Sequence, residues 1–209
     1  MAGPLEQVAR MRFAELEDVA LAIAAEFTAV DAAVVHAHLD RLAVGLDGIA
    51  ELDAGERAEG LLEELAGRQR FEADWLAGPD SLLLDRVVER RRGHPLALVI
   101  VYAAVARRAG VTLYPVGNER FVILADGSSS PTIAIDPTAG GRRPPAAVAW
   151  LCPHVVGVMV LQALSVRFLE RGELEASIRA ARLGLVLPLS RPMRARVRAR
   201  VIALHARLN

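Results

Sequence analysis

The sequence predicts an α+β protein, rich in helices, in which helices flank one small antiparallel sheet. Three observations carry that prediction. Residues 13–45 and about 147–208 place apolar side chains three to four apart, the helical period. Residues 111–137 instead break into short runs rich in β-branched and aromatic residues, separated by Gly, Asn, Asp and Ser. The chain has 209 residues, of which 53% are hydrophobic, enough to bury a sizeable core in one domain with a helical extension.

Taken in order, "FAELEDVALAIAAEFTAVDAAVVHAHLDRLAVG" reads as two helices that break near "FTAVD", where Thr28 or Asp31 caps the second. "LDAGERAEGLLEELAGRQRF" is a third helix, with Asp53 as N-cap and Gly67 near its end. "ADWLAGPDS" is a turn around Gly78-Pro79-Asp80. "SLLLDRVVERRRG" gives a short helix capped by Ser81 and ended by Gly93, and a long apolar helix follows over 95–109. Three antiparallel strands come next, in "VTLYPVGN", "RFVILAD" and "PTIAIDP", with "ADGSSSP" as a hairpin loop. "TAGGRRPPAA" is a loop. Helix resumes from about Ala147 to Glu170, turns at "RGEL", runs through "EASIRAARLGLVL", breaks at "PLSRP" and closes with "MRARVRARVIALHARL". These last three helices form up-and-down hairpins in the manner of a helical repeat.

Composition excludes several function classes. Formal net charge is +0, with 25 basic and 25 acidic residues, so no global field draws the chain to nucleic acid or an anionic membrane. Every basic residue is Arg, which rules out lysine Schiff-base chemistry. Aromatics are 4%, too few for base-stacking platforms. Mean hydropathy is +0.30, yet charges interrupt each apolar run before a span is reached. The start lacks a basic segment leading into an apolar one, and the single cysteine, Cys152, suits a reducing cytoplasm.

The most informative stretch is "RRGHPLALVIVYAAVARRAG", from Arg91 to Gly110. Gly93 and Pro95 set the start of a long apolar helix and Arg107-Arg108 its end, where cations suit the helix dipole. Helices begun this way carry nucleophiles in several hydrolase folds. Here the first turn holds Leu96, Ala97, Leu98 and Val99. None of them can attack a carbonyl.

The segment "SLLLDRVVERRRGHPLALVIVYAAVARRAGVTLYPVG", followed by "RFVIL" and "IDPTAGGR", resembles the SirB1 family of transglutaminase-like proteins, and the resemblance covers nearly the whole chain. It implies a papain-like core with an N-terminal helical cap and a tetratricopeptide-like helical tail. The implied division is 1–80 for the cap, 81–146 for the core and 147–209 for the tail, packed as one globular unit. It also implies a Cys–His–Asp or Ser–His–Asp acyl-transfer site. The motif G-x-P-x-S-L falls on "GHPLAL" and puts Ala97 in the nucleophile's place. "GHF" falls on "ERF" and puts Arg120 in the histidine's place, while "IDP" retains the third member, Asp136. An alanine has no heteroatom, and a guanidinium with a pKa above about 12 is no base.

Other candidates are weighed beside Asp136. His94 either shuttles a proton at the cleft mouth or is a solvated loop histidine. Glu119 either replaces the lost base or is an exposed turn carboxylate. Arg120 and Asp136 in triad geometry would form a bidentate ion pair. Arg90 to Arg92, next to exposed helix N–H groups, suit an anionic ligand, and Arg142 and Arg143 border the same cleft or are solvated. Tyr102, on the central helix, is counted with Ala97, Arg120, Arg92 and Arg142 as a cleft residue. Cys152 and His154 are read as structural, with Cys152 as a buried filler. His36 and His38 point different ways with no third ligand spaced to join them, and His205 is surface. No cofactor and no metal are expected.

Two functions follow. One is a non-catalytic member of the family, monomer or homodimer, that binds a protein or small anionic ligand through the old cleft or the tail. The other is an enzyme of a specialised pathway that re-uses the cleft, with Asp136, Glu119, Arg120 and His94 as acid, base and anion clamp.

Overall fold

The computed structural model describes residues 3–118, 121–128, 132–138, 141–143 and 149–207. A short helix α1 (Pro4–Ala9) precedes α2 (Leu16–Ala25) and α3 (Ala32–Ala43). Asp31 caps α3, its carboxylate accepting from the N–H groups of Ala33 and Val34 at 3.1 and 3.2 Å. Helix α4 (Ala54–Leu62) opens with a capping box, Asp53 accepting from Glu56 N–H and Glu56 reaching back to Asp53 N–H. It continues as a π-helical turn, Glu63–Arg68. The strand β1 (Glu72–Ala73) then pairs in parallel with β2 (Arg92–Gly93), across the intervening helix α5 (Leu84–Arg90).

Ser81 does not cap α5. It lies in a 3₁₀ turn, Pro79–Leu82, where its hydroxyl donates to the Gly78 carbonyl at 2.8 Å, and α5 starts after Leu83 with no side-chain cap. The preceding Gly-Pro-Asp turn is itself helical and uses the serine as its own last turn.

Helix α6 (Pro95–Arg108) is the axis of the molecule. Every residue from Pro95 to Ala106 is buried. A helix apolar on all sides must be covered on all sides, and α2, α3, α5, α7 (Pro153–Glu170) and the sheet do so. Each of its valines and leucines taken fully out of water contributes about 1.5–3 kcal/mol. One hydrophobic cluster runs from Leu5 through α6 to Val197.

The sheet is antiparallel, with strand order β6-β5-β4-β3-β7. It comprises β3 (Leu113–Gly117), β4 (Val122–Asp126), β5 (Ile133–Asp136), β6 (Gly141–Arg143) and β7 (Ala149–Trp150). The three central strands match the sequence reading. The outer two correct it: residues 141–143 pair with β5, and 149–150 pair with β3 instead of opening a helix. Backbone pairing to a neighbouring strand overrides a local Gly-Arg-rich composition that reads as loop. Helix α7 therefore starts at Pro153, with exposed Cys152 as its N-cap rather than a buried filler.

Leu113, Val122, Leu124 and Ile135 of the sheet join the main core, whereas Val116, Ile123, Ala125 and Ala134 form a second small cluster. Asp126 ends β4 under a clasp. Burial would raise its pKa, but Ser128 and Arg57 outweigh that and hold the carboxyl below its usual range. Arg57 Nε donates to it at 3.0 Å, tying α4 to the sheet.

The tail is α7 followed by α8 (Leu174–Leu183) and α9 (Arg191–His205), joined by short turns. Gly172 takes φ 77° in the first turn, a left-handed conformation that suits glycine. A buried pair, Ser165 and Ser177, bridges α7 and α8 with hydroxyls 3.0 Å apart. His154 is also structural, its Nε2 3.2 Å from the Val8 carbonyl of α1. No helix among the described residues is long and apolar enough to cross a membrane.

Candidate functional site

A cavity of about 350 Å³ opens at the N-terminus of α6. Its polar lining is His94, Asp136, Thr138 and Gln162. Its apolar walls come from four places: Trp75, the Pro95-Leu96 turn, Phe121 to Ile123 at the start of β4, and Met159, Ala163 and Val166 on α7.

His94 is the N-cap of α6. Its Nδ1 accepts from Leu96 N–H at 3.2 Å, which satisfies one of the helix's unpaired donors. Burial lowers its pKa, and the nearby Arg167 cation adds to this, so it is pushed down to about 4. The ring is neutral at pH 7. A neutral imidazole whose Nδ1 accepts carries its proton on Nε2, so His94 is a hydrogen-bond donor and not a base as it stands.

Asp136 is the last residue of β5 and is buried. Its Oδ1 accepts from Thr138 N–H at 2.9 Å and from Thr138 Oγ1 at 2.6 Å. This Asx turn fixes the carboxylate where the strand leaves the sheet. His94 and Asp136 thus meet at one cavity, although 42 positions separate their numbers along the chain.

The loop that carries Trp75 is strapped down at several points. Asp74 N–H donates to the Gly93 carbonyl at 2.8 Å, and Asp74 Oδ1 accepts from Ala77 N–H at 3.0 Å. Arg92 Nε lies 2.9 Å from Asp74 Oδ2. Arg167 donates to the Trp75 carbonyl while it pairs with Glu170 at 2.7 Å. The Trp75 ring stands 6.3 Å from the His94 ring.

Several residues expected in the cleft lie elsewhere. Ala97 is buried at 1% exposure, and the first-turn residues facing the cavity are Pro95 and Leu96. Tyr102, two turns further on, is fully buried in the core, where burial pushes its phenol up. Arg90 and Arg92 pair with Asp80 at 3.1 Å and with Asp74 at 2.9 Å, and neither lines the cavity. The basic cluster belongs to the C-terminus of α5, where Arg91 takes the left-handed cap conformation, φ 55°. There cations suit the helix dipole, which removes the discomfort of placing them at the head of α6. Glu119 and Arg120, and with them an Arg120–Asp136 pair, lie outside the described residues, as does the side chain of Arg142.

Trp75, Thr138 and Gln162 are cavity residues that the sequence reading missed. A signal existed for two of them. Trp75 is one of two tryptophans in the chain, beside a Gly-Pro turn, and Gln162 interrupts the apolar run of α7.

The model of the transglutaminase-like superfamily matches residues 15–150, which include α2 to β7 and every described wall of the cavity except that from α7. The chain belongs to the transglutaminase-like superfamily. It is also 35% identical over 133 residues to a Pseudomonas aeruginosa protein, "UPF0162 protein PA3419". That match covers 61% of this chain and 48% of the relative, so the chain spans about half the length of the curated relative it matches. No solved structure matches. In this superfamily member, then, the matched region supplies the central helix, its N-cap histidine and the strand that ends in Asp136.

Proposed function

We propose that this transglutaminase-like protein is a degenerate, SirB1-type member that binds a ligand at the mouth of α6 and does not carry out acyl transfer. The observation that carries this reading is Ala97. It stands where the resemblance puts the nucleophile, and its methyl group is buried in the core. Cys152 caps α7 and is no part of the cavity lining. The hydroxyl of Thr138 lines the cavity but donates to Asp136. The histidine that does reach the cavity presents a proton instead of a lone pair. Binding needs no more than the walls and donors present.

The test is turnover of activated ester, thioester and glutamine-amide substrates by the purified full chain. Rates equal to buffer alone are expected. Turnover abolished by Asp136→Asn or His94→Gln would establish the second reading, an enzyme that re-uses the cleft. The shared position of His94 and Asp136 at one cavity favours that second reading, in which His94 would polarise a carbonyl and Asp136 would orient the reacting group.

A further inference from the structure

Gln162 stands on two surfaces at once. It is an exposed residue of α7 that lines the cavity, and it also borders a narrow crease between α7, α8 and α9. Arg200 of α9 lies in that crease. The cavity and the tail therefore meet at one side chain. What separates them is the breadth of α7, about 10 Å with its side chains.

Arg200 differs from the arginines around it. On α9 only Arg194 and Arg200 are half-buried, and the other arginines of that helix are exposed. Arg194 donates to the carbonyls of Leu185 and Leu187, at 3.1 and 3.5 Å. Arg200 has neither a hydrogen bond nor an ion pair among the described residues. The arginines that fix the Trp75 loop are committed, Arg92 to Asp74 and Arg167 to Glu170 and the Trp75 carbonyl. Residues 191–207 carry six arginines and no Asp or Glu, so the local field over α9 draws anions. A guanidinium presents five N–H donors in a fixed fork, and a carboxylate accepts two of them at once. One guanidinium also balances one negative charge, which matches a carboxylate better than a dianionic phosphate.

Resting on the binding reading above, we infer that the site takes an elongated carboxylate. Its apolar body lodges in the cavity against Trp75 and Phe121, which are 59% and 37% exposed there. Its carboxylate, about 10 Å from that body, reaches over Gln162 and pairs with Arg200. The tail is then part of the site. Arg200 lies beyond residues 15–150, the region that the superfamily model matches, so the contact is one that the matched region alone does not supply. The small anionic ligand expected from the sequence is kept, with its charge placed on α9 instead of on the cluster Arg90 to Arg92.

The test uses the full chain and 6-(dansylamino)hexanoate, whose emission shifts to the blue in apolar surroundings. Beside it stands 6-(dansylamino)hexan-1-ol, with the same body and spacer and no charge. The acid is expected to bind saturably, at least tenfold more tightly than the alcohol. Arg200→Gln weakens the acid about tenfold and leaves the alcohol unchanged, which also shows that the variant is folded. Arg198→Gln, at an exposed arginine of the same helix, changes neither, and Trp75→Ala weakens both. Dansylglycine, too short to span α7, binds equally to wild type and Arg200→Gln. Equal affinity of the acid for wild type and Arg200→Gln overturns the inference, although binding in the cleft then stands. So does an equal loss of acid and alcohol in Arg200→Gln, or a dansylglycine that depends on Arg200. Octyl phosphate that displaces the acid ten times better than octanoate overturns the choice of a carboxylate. Binding of neither acid nor alcohol overturns this inference and the binding reading together. Turnover in the ester and amide assays overturns the non-catalytic reading alone, because neither probe has a leaving group.

Discussion

Arg108 Nη1 lies 2.8 Å from Oε1 of Glu17, and Arg107 reaches the same oxygen from the last turn of α6. Glu17 is 1% exposed at the head of α2, and Arg108 also holds Asp40 of α3 at 2.6 Å and His36 at 2.9 Å. Two arginines that suit a helix dipole thus also fasten three helices at the end of α6 opposite the cavity. Burial alone would raise the Glu17 pKa, but Arg107 and Arg108 outweigh it and hold the carboxyl below its ordinary value. Removing one partner of a buried pair strands the other. Glu17→Ala is expected to cost about 3 kcal/mol, the low end for such pairs because Arg107 is 42% exposed on its side chain. A chain of this size then loses about 6–12 °C in Tm. Because the folded pKa is depressed, the contribution of the charge is complete above the ordinary carboxylate range and is lost as pH falls through the folded value. Urea midpoints of wild type and Glu17→Gln therefore converge on acidification. A gap that stays constant from pH 7 to pH 3 would contradict the assignment.

The placement of Ala97 makes a second outcome specific. Leu96 lines the cavity and Ala97 does not. In a Cys152→Ser background, Leu96→Cys is expected to react with a maleimide at a rate set by the cavity's openness. Ala97→Cys should react only as fast as the protein opens, at least tenfold slower. Mass spectrometry of the labelled chain over time measures both rates. If Ala97→Cys is the faster, position 97 opens to the cavity and the burial assigned to its side chain is wrong.

Much of this architecture is legible in the sequence where the cause is local. Asp31 and Asp53 announce helix starts because capping is a contact within three residues. The all-apolar α6 announces its own burial. Ser81 misleads because two local uses of one hydroxyl compete, and the 3₁₀ turn takes it. Strand β7 is silent because its partner β3 lies far back in the chain, while β6, although it pairs with neighbouring β5, is hidden by its Gly-Arg composition. The same holds for the site. Asp136 is readable from "IDP", and His94 from "GHP". Trp75 joins them only through the parallel pairing of β1 with β2, which no local pattern encodes. The burial of Glu17 has no local sign either, because Arg107 and Arg108 reach it only through the packing of α6 on α2.

His94 links the site to stability. Its folded pKa is about 4, against about 6.5 for an unperturbed imidazole. The unfolded chain takes up a proton first as pH falls, so this contribution to stability is complete above about pH 6.5 and declines between about 6.5 and 4. His94→Asn retains a capping oxygen and has nothing to titrate there. The variant is expected to show a shallower loss of urea midpoint between pH 7 and pH 4.5 than wild type. Parallel slopes would place the ring in solvent. Ring ¹⁵N shifts offer an independent reading: Arg167→Gln removes the neighbouring cation and should move the His94 midpoint upward.

Helices α2 and α7 cross so closely that a side chain at Gly157 has no room. A Cβ there would lie 2.6 Å from Val19 Cγ1 and 3.2 Å from Leu187 Cδ1. Gly157→Ala gains about 0.5–1 kcal/mol in helix propensity and incurs about 1–3 kcal/mol of overpacking, because Val19 is itself buried and cannot swing away. The overpacking is expected to win, with a net loss of about 1–2 kcal/mol by urea unfolding. A double-mutant cycle separates the clash from other effects: Val19→Ala should cost less in the Gly157→Ala background than in wild type, by about 1 kcal/mol. Additive costs would mean that the two helices part freely. In that case the α7 wall of the cavity, with Met159, Gln162 and Ala163 on it, would not be held by this crossing.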